Sequence, residues 1–429
     1  MKVNALLDVN IVAHESSDEV AILLELEAPA IAVDAERPPA ALQVVLDRSG
    51  SMNGAPLDGA KEALIALVRR LRPSDNVGLV TFDDSAQVVL PAGPLTDPDA
   101  AIAAIDAVES GGMTDLSAGY LRGIREIRRV ARAGGTMLVI SDGHVNEGIR
   151  KVDEFGAVAA KAYSDGIVTS TLGYGVGYDE TLLSALSKSG SGNHVFAADP
   201  DQAGAAITQE VDGLLSKAVQ AISLTVRLDP SVEVLKLYND VPAQQVGDTT
   251  IMIELGDLYA EEQRKILLKL GVPALSGLGL ATIATLEVAY VELPGLVEQV
   301  VTLPISVNVV PGDEAAGRVP NPTVHSEVLF QEAQDVKRRA SEAFERGDFD
   351  EGQALLGDAA TRLSESMGAA PDDDGIVAGI RADLAEVERM NELSIVCGIE
   401  AGSEVSKLSR DSHHRMNRQR GRGPRAPQR

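Results

Sequence analysis

The stretch Val44-Val45-Leu46-Asp47-Arg48-Ser49-Gly50-Ser51-Met52 decides how this chain is read. An apolar strand runs into one carboxylate and two hydroxyls within five positions, so three oxygen donors crowd the tip of a single loop. Around it, between about residues 41 and 217, short apolar runs alternate with amphipathic stretches. The runs are Leu42–Leu46, Val77–Phe82, Thr136–Ile140 and Ile167–Leu172. The stretches with helix-like three- and four-residue spacing include Leu57–Leu71, Ser117–Ala133, Val152–Ser164 and Gln202–Leu215. Strands alternating with helices at this period predict a mostly parallel sheet covered on both faces, a doubly wound, Rossmann-like α/β unit. Val88–Leu90, close behind the second run, is expected as an antiparallel edge strand. Sheets of this kind bind ligands beyond the carboxyl ends of their strands, which is where the Asp47 loop falls.

Two further loops add donors. Gly111-Gly112-Met113-Thr114-Asp115-Leu116 places a hydroxyl just ahead of a helix, and Leu138-Val139-Ile140-Ser141-Asp142-Gly143 ends another strand in an aspartate. Asp47, Ser49, Ser51, Thr114 and Asp142 are therefore the candidate ligands of one divalent cation. Oxygen donors with few charges suit Mg²⁺, with Mn²⁺ or Ca²⁺ as alternative occupants; zinc prefers His and Cys, and Ca²⁺ usually takes more ligands. None of the six histidines falls at metal-ligand spacing. Alone, an Asp-x-Ser-x-Ser string suits a solvated turn equally well, its side chains bonding nearby amides. The preceding strand, the following helix and the two later loops favour the ion. Asp83 and Asp84 are read as a solvated loop and His144 as a surface residue. Gly173-Tyr174-Gly175-Val176-Gly177 is read as a strand-to-helix turn, because it lacks the spacing of a nucleotide-binding loop. No recognisable nucleophile, general base or histidine partner accompanies the donors, which favours a binding module or scaffold over an enzyme. The alternative is a metal-dependent hydrolase in which the ion lowers the pKa of a bound water and Asp142 or Asp115 acts as base.

Asp47-Arg48-Ser49-Gly50-Ser51, followed in order by Thr114 and Asp142, resembles the metal-ion-dependent adhesion site (MIDAS) of von Willebrand factor A (VWA) domains, also found in integrin I domains. The resemblance covers roughly residues 41–217. It implies that Ser49, Ser51 and Thr114 coordinate the ion directly, whereas Asp47 and Asp142 often act through water. It also implies a protein partner that presents Asp or Glu to the metal. Ion chemistry supports this independently: Mg²⁺ demands near-octahedral geometry and keeps water where the protein leaves a vertex open, and an incoming carboxylate can replace that water. The wider arrangement, with β structure on both sides, is similar to bacterial YfbK-type proteins and to inter-alpha-trypsin inhibitor heavy chains. Some relatives of this fold are adaptors for AAA+ ATPases, which makes such an ATPase an alternative partner.

Period-two alternation flanks the α/β unit. Within residues 1–40, segments 3–14 and 20–27 read as a hairpin and 28–40, with Pro29, Pro38 and Pro39, as a linker. Residues 218–312 read as an antiparallel β-sandwich that the N-terminal strands complete, so the unit at 41–217 is inserted into a β domain. Residues 324–406 follow a helical pattern, with a corner at Ala343–Phe349, and predict a helical hairpin or small bundle. Residues 407–429 are expected to form a disordered basic tail.

Composition narrows the function classes. The 429 residues call for two or three packed units. Aromatics at 3% and the absence of Trp argue against stacking platforms for single-stranded nucleic acid. A single cysteine, Cys397, suits a reducing compartment, and with neither a secretory leader pattern nor a membrane span the expectation is a cytoplasmic protein. The net charge of −26 hides an asymmetry: residues 407–429 carry eight Lys and Arg against Asp411, a net +7, leaving −33 on the rest. So acidic a body repels phosphate polymers and anionic membranes and favours cations or basic partners, leaving only the tail for nucleic acid.

Overall fold

The computed structural model describes residues 1–30, 39–132, 134–142, 145–175, 178–197, 200–397 and 402–417. The chain divides into two compact units, residues 31–217 and residues 1–30 with 218–429. Three strands open it: β1 (Lys2–Leu7), β2 (Ile11–Ala13) and β3 (Asp18–Glu27). β1 and β3 pair antiparallel as the expected hairpin, from Lys2 opposite Glu27 to Leu7 opposite Ile22. Residues 3–14 are not one strand, however. The Asp8 carboxylate accepts the backbone N–H groups of Val9 (2.7 Å) and Ala21 (2.8 Å), and this local alternative to the ladder lets the chain leave β1 before β2 begins.

The α/β unit contains, in chain order, β4 (Ala41–Asp47), α1 (Ala55–Val68), β5 (Asn76–Phe82), β6 (Ala86–Pro94), α2 (Pro98–Asp106), α3 (Leu116–Ile127), β7 (Gly135–Ser141), α4 (Val152–Ser164), β8 (Ile167–Tyr174), α5 (Glu180–Ser189), β9 (Ser191–Ala197) and α6 (Pro200–Leu215). The sheet runs β6-β5-β4-β7-β8-β9, parallel throughout except for β6, which pairs antiparallel with β5 at the edge. Every residue of β4 and β7 is buried, which is why both read as continuous apolar runs rather than alternating ones. Leu42, Val44 and Leu46 share one core with Leu57, Leu64 and Leu67 of α1 and Ala203 and Ile207 of α6. On the opposite face α3 lies so close that a Cβ at Gly119 would stand 2.6 Å from the Phe82 ring. The chain passes from β4 to β5 on one side and returns to β7 on the other, so the order reverses between the two central strands. That reversal opens a crevice at their carboxyl ends.

The second unit continues with β10 (Lys217–Leu228), β11 (Glu233–Leu237), β12 (Ala243–Gln245), β13 (Thr250–Tyr259), β14 (Gln263–Val272), β15 (Gly279–Glu292) and β16 (Val297–Val310). One sheet has the order β1-β3-β14-β11, the other β12-β13-β10-β15-β16-β2. β1–β3, β3–β14, β14–β11, β12–β13, β10–β15 and β15–β16 pair antiparallel, whereas β2 runs parallel to the end of β16, so the N-terminal segment serves both sheets. Val20, Ile22, Leu24 and Leu26 of β3 and Ile222, Leu224 and Val226 of β10 are buried at alternate positions, the period expected of sheets facing a core. β3 is buried on its other face too, where Ala21 and Leu23 pack with Leu267, Tyr238 and Val324.

Val324 belongs to the helical segment, made of α7 (Gly312–Ala315), α8 (Pro322–Glu345), α9 (Phe349–Ala369), α10 (Asp374–Cys397) and α11 (Gly402–Asn417). The corner at Ala343–Phe349 is real: α8 ends there, Phe344 meets Phe349 at 6.1 Å between ring centroids, and the Asp348 carboxylate caps α9 through Glu351 N (3.1 Å). The expectation of disorder from residue 407 is corrected over 407–417, which belong to α11. Val405 of α11 joins the apolar core of α8, but several other contacts between the two helices are polar and escape a hydropathy reading. Ser406 Oγ meets Ser341 Oγ (3.0 Å), Ser409 Oγ donates to Lys337 O (2.9 Å), and a His413 ring nitrogen lies 2.8 Å from Gln334 O. Residues 418–429 of the expected tail, and most of the expected linker, lie outside the described residues.

Beside the contact with α11, α8 is tied to α10 by an ion pair with no exposure on either side, Lys337 Nζ to Asp383 Oδ1 at 2.7 Å, and Lys337 Nζ also donates to Ser412 Oγ of α11 at 2.8 Å. Breaking such a pair leaves a charge buried and uncompensated, whereas replacing both partners by apolar groups does not. Asp383→Ala is predicted to cost about 3–5 kcal/mol in urea unfolding, and Lys337→Met with Asp383→Leu to be within about 1 kcal/mol of wild type or more stable. An Asp383→Ala protein as stable as its parent would contradict the buried pair.

Candidate metal centre

Asp47 is the last residue of β4 and has no exposed surface. Its Oδ1 accepts the Ser49 backbone N–H at 2.8 Å, closing the loop on itself, and its Oδ2 accepts the Ser141 hydroxyl at 2.6 Å. Ser141 ends β7 in the neighbouring strand, so the first and third loops are joined through one carboxylate. Asp142 follows it and accepts Ser51 Oγ at 2.8 Å, while Ser51 Oγ lies 3.1 Å from Ser49 Oγ. Four of the five residues singled out in the sequence, Asp47, Ser49, Ser51 and Asp142, therefore form one hydrogen-bonded group at the crevice.

Thr114, buried at 3% exposure, is brought to the same edge by its backbone. Gly50 N donates to Gly112 O (3.2 Å), Gly111 N to Arg48 O (2.7 Å) and Asp115 N to Asp83 O (2.8 Å), so the Thr114 loop is laced to the Asp47 loop and to the end of β5. Gly112 has a φ of +70°, and a Cβ there would stand 2.8 Å from the Cβ of Asp83. Both the left-handed backbone and the close approach require glycine. Asp83 is buried rather than solvated, whereas Asp84 is exposed as expected of a solvated loop. Asp83 pairs with the Arg48 guanidinium at 2.5 Å, and Asp84 accepts the Met113 backbone N–H, so both carboxylates brace the ligand loops. Three further residues do related work, of which only Asp115 was singled out above, as a candidate base. Ser141 holds Asp47, Asn146 Oδ1 accepts Thr114 N (2.9 Å), and Asp115 caps α3 through Ala118 N (3.0 Å) and Ser117 Oγ (2.5 Å). Ser141 had a legible signal, standing beside Asp142 at a strand end; Asn146, in an irregular loop, had none. His144 lies outside the described residues.

The donor set matches the chemistry of a small hard cation. Among the described residues no three His, Cys, Asp or Glu side chains gather into a metal-holding group, and none makes an ion pair with Asp47 or Asp142. The site offers two carboxylates and a ring of hydroxyls, few charges and many oxygens, as Mg²⁺ prefers. Burial pushes the Asp47 carboxyl up to about 6, opposed by the bonds from Ser141 and Ser49 and reinforced by the charge of Asp142. Burial raises Asp142 as well, against the bond from Ser51.

A folded-state pKa above the ordinary 3.8 means that the folded chain binds this proton more tightly than the unfolded chain does. Stability in the absence of metal should then fall as pH rises from about 4 to about 6 and level off above. Asp47→Asn removes the buried charge. In EDTA the variant is predicted to gain stability over wild type at pH 7.5, on the order of 1–3 kcal/mol, and to lose most of that gain near pH 4. Urea unfolding at the two pH values checks this, and a difference between the proteins that does not change with pH would contradict it.

A family model, the von Willebrand factor type A domain, matches residues 42–210. By sequence the chain is 26% identical over 200 residues to YfbK of Escherichia coli, across 46% of this chain and 35% of that protein. It is 26% identical over 222 residues to inter-alpha-trypsin inhibitor heavy chain H1 of Homo sapiens, across 49% of this chain and 24% of that one. The alignments span at most 57% of the length of the curated relatives compared. A solved structure, a von Willebrand factor type A protein from Catenulispora acidiphila, superposes with a TM-score of 0.75 at 15% identity, over 95% of this chain and 96% of its own, and so shares the fold of both units. With loop order, sheet order and family match in agreement, residues 42–210 of this chain are a von Willebrand factor type A domain.

Proposed function

We propose that the A domain is a cation-dependent protein-binding module: it holds one Mg²⁺, with Mn²⁺ or Ca²⁺ as alternative occupants, and captures a partner's Asp or Glu carboxylate. The observation that carries this reading is the pair Asp47 and Asp142, withdrawn from water at the ends of adjoining strands with no ion-pair partner among the described residues. The nearest basic residue in the motif, Arg48, is committed to Asp83. Two carboxylates so placed lower their free energy by taking up a divalent ion. Ser49, Ser51 and Thr114 would give hydroxyl oxygens to it, and Asp47 and Asp142 would act directly or through water. When bound, the ion supplies a positive point charge with a vertex open to a visiting carboxylate. The protein's own part is to fix the hydroxyls: Asp47 holds the Ser49 backbone, Asp142 orients Ser51, and Asn146 anchors Thr114.

A binding role is favoured over hydrolysis because Asp115, the candidate base nearest the Thr114 loop, is occupied in capping α3. No helix among the described residues is long and apolar enough to cross a membrane. A cytoplasmic setting is part of the proposal and rests on the single Cys397.

Titration calorimetry with Mn²⁺ tests the metal. Wild type is expected to bind one equivalent, Asp47→Ala to lose binding while remaining folded, and Ser141→Ala to weaken it about 10–100-fold, as an orienting neighbour does. Equal affinity in wild type and Asp47→Ala would end the reading. Pull-downs from the native host with and without EDTA test capture, and a set of bound proteins indifferent to EDTA would remove that half of it.

A further inference from the structure

Although the chain carries a net −26, one flank of the A domain is basic. Arg122, Arg125, Arg128, Arg129 and Arg132 follow one another along α3 and the turn after it, and Lys161 of α4 belongs to the same flank. Two carboxylates serve these six cations. Glu126 bridges Arg122 (3.1 Å) and Arg129 (2.8 Å), and Asp165 bridges Arg128 (2.6 Å) and Lys161 (2.9 Å). Arg125 and Arg132 are exposed and make no ion pair among the described residues, so the patch keeps a net +4. A charged helix face is usually no more than a solvated one. This one also borders a shallow, open groove of about 290 Å³, lined by Leu121 and Ile124 of α3, Ala157 and Val158 of α4, and by Arg128 and Lys161. Its wall residue Leu121 is 37% exposed, and Ala157 is exposed as well.

We propose that the α3–α4 flank is a docking surface for an acidic peptide segment, which seats an apolar side chain in the groove and sets its carboxylates on Arg125, Arg132 and the half-neutralised Arg128 and Lys161. Charge complementarity selects the occupant. The shape of the patch, aliphatic between cations, is that of a site for an amphipathic acidic segment. A nucleic acid or an anionic bilayer would have to bring many phosphates against a body of the same, negative sign, and the groove offers no aromatic face for a base. A short peptide meets only the patch. The surface is separate from the metal face: Arg125 stands about 15 Å along the helix from Asp115, at 1.5 Å per residue. Docking here therefore proceeds without metal.

The probe is a short fluorescein-labelled helical peptide with Leu at three- and four-residue spacing between glutamates, titrated with the full chain in EDTA at low ionic strength and followed by fluorescence polarisation. Saturable binding is expected, weakened at least about tenfold by Arg125→Glu with Arg132→Glu and unchanged by Mg²⁺. Both arginines are exposed, so the double variant should keep the wild-type melting temperature. Val158→Glu, which places a charge in the groove, is expected to act in the same direction. The proposal is overturned if wild type does not bind the peptide or the double variant binds it equally well. It is likewise overturned if a peptide with Leu replaced by Ser binds as tightly, or if phosphatidylserine vesicles or a single-stranded oligonucleotide bind more tightly than the peptide. Because the deciding comparisons are made in EDTA, a failure there leaves the cation site untouched, and a failure of the cation site leaves this test standing.

Discussion

Two carboxylates withdrawn from water at the ends of adjoining central strands set the terms for the α/β unit. Taking a carboxylate out of water costs several kcal/mol unless its lone pairs are satisfied, and two near one another repel. The chain meets this with neutral donors. Asp47 receives Ser49 N and Ser141 Oγ, and Asp142 receives Ser51 Oγ. Hydroxyls satisfy the oxygens without cancelling their charge, so the site stays electrostatically hungry while remaining well bonded. A lysine or arginine in the same place would have stabilised the fold and removed the attraction for a cation. Arg48, the basic residue best placed to do so by sequence, is instead held by Asp83.

That arrangement depends on loops that do not drift, and the restraint lies mostly in the backbone. Gly50 to Gly112, Gly111 to Arg48 and Asp115 to Asp83 are main-chain bonds between segments up to about sixty residues apart in sequence, so donor positions are fixed before any side chain chooses a rotamer. Gly112 is needed for its left-handed φ and because a side chain there would collide with Asp83. Helix α3, which starts from the second loop, is seated firmly: Gly119 lies against Phe82, and Tyr120 hydroxyl meets Thr169 Oγ1 at 2.9 Å inside the core.

Much of this was legible in the residues themselves. Continuous apolar runs marked β4, β5, β7 and β8, and oxygen donors at their ends marked the ligand loops, because strand burial and loop chemistry each leave a local signature. β9 was not expected, since Ser191-Gly192-Asn193-His194 reads as a turn. Its place comes from pairing with β8, to which Gly192 packs with no room for a side chain. The bracing role of Asp83 and Asp84 was hidden for a related reason: their partners Arg48 and Met113 are near only after folding. The division of residues 3–14 between two sheets turned on one carboxylate, Asp8, capturing two amides, an effect that strand periodicity does not register.

The same limit governs the helical segment and explains why its end looked unstructured. Hydropathy counts a serine as indifferent and a lysine as outward-facing. Here Ser341, Ser406, Ser409 and Ser412 are small and buried where α8 meets α11, and Lys337 of α8, which donates to Ser412, pairs with Asp383 of α10. Val405 of α11 joins the apolar core of α8, and the polar contacts restrict the register further, because a slip of α11 along α8 would take the Ser412 hydroxyl away from the buried Lys337 ammonium. Basic residues toward the chain end then sit where their charge is usable, as Arg410 does on Glu345 at 2.6 Å. Net charge alone was therefore a poor guide to order over residues 407–417: the partners that neutralise it lie on a helix some seventy residues earlier in the chain.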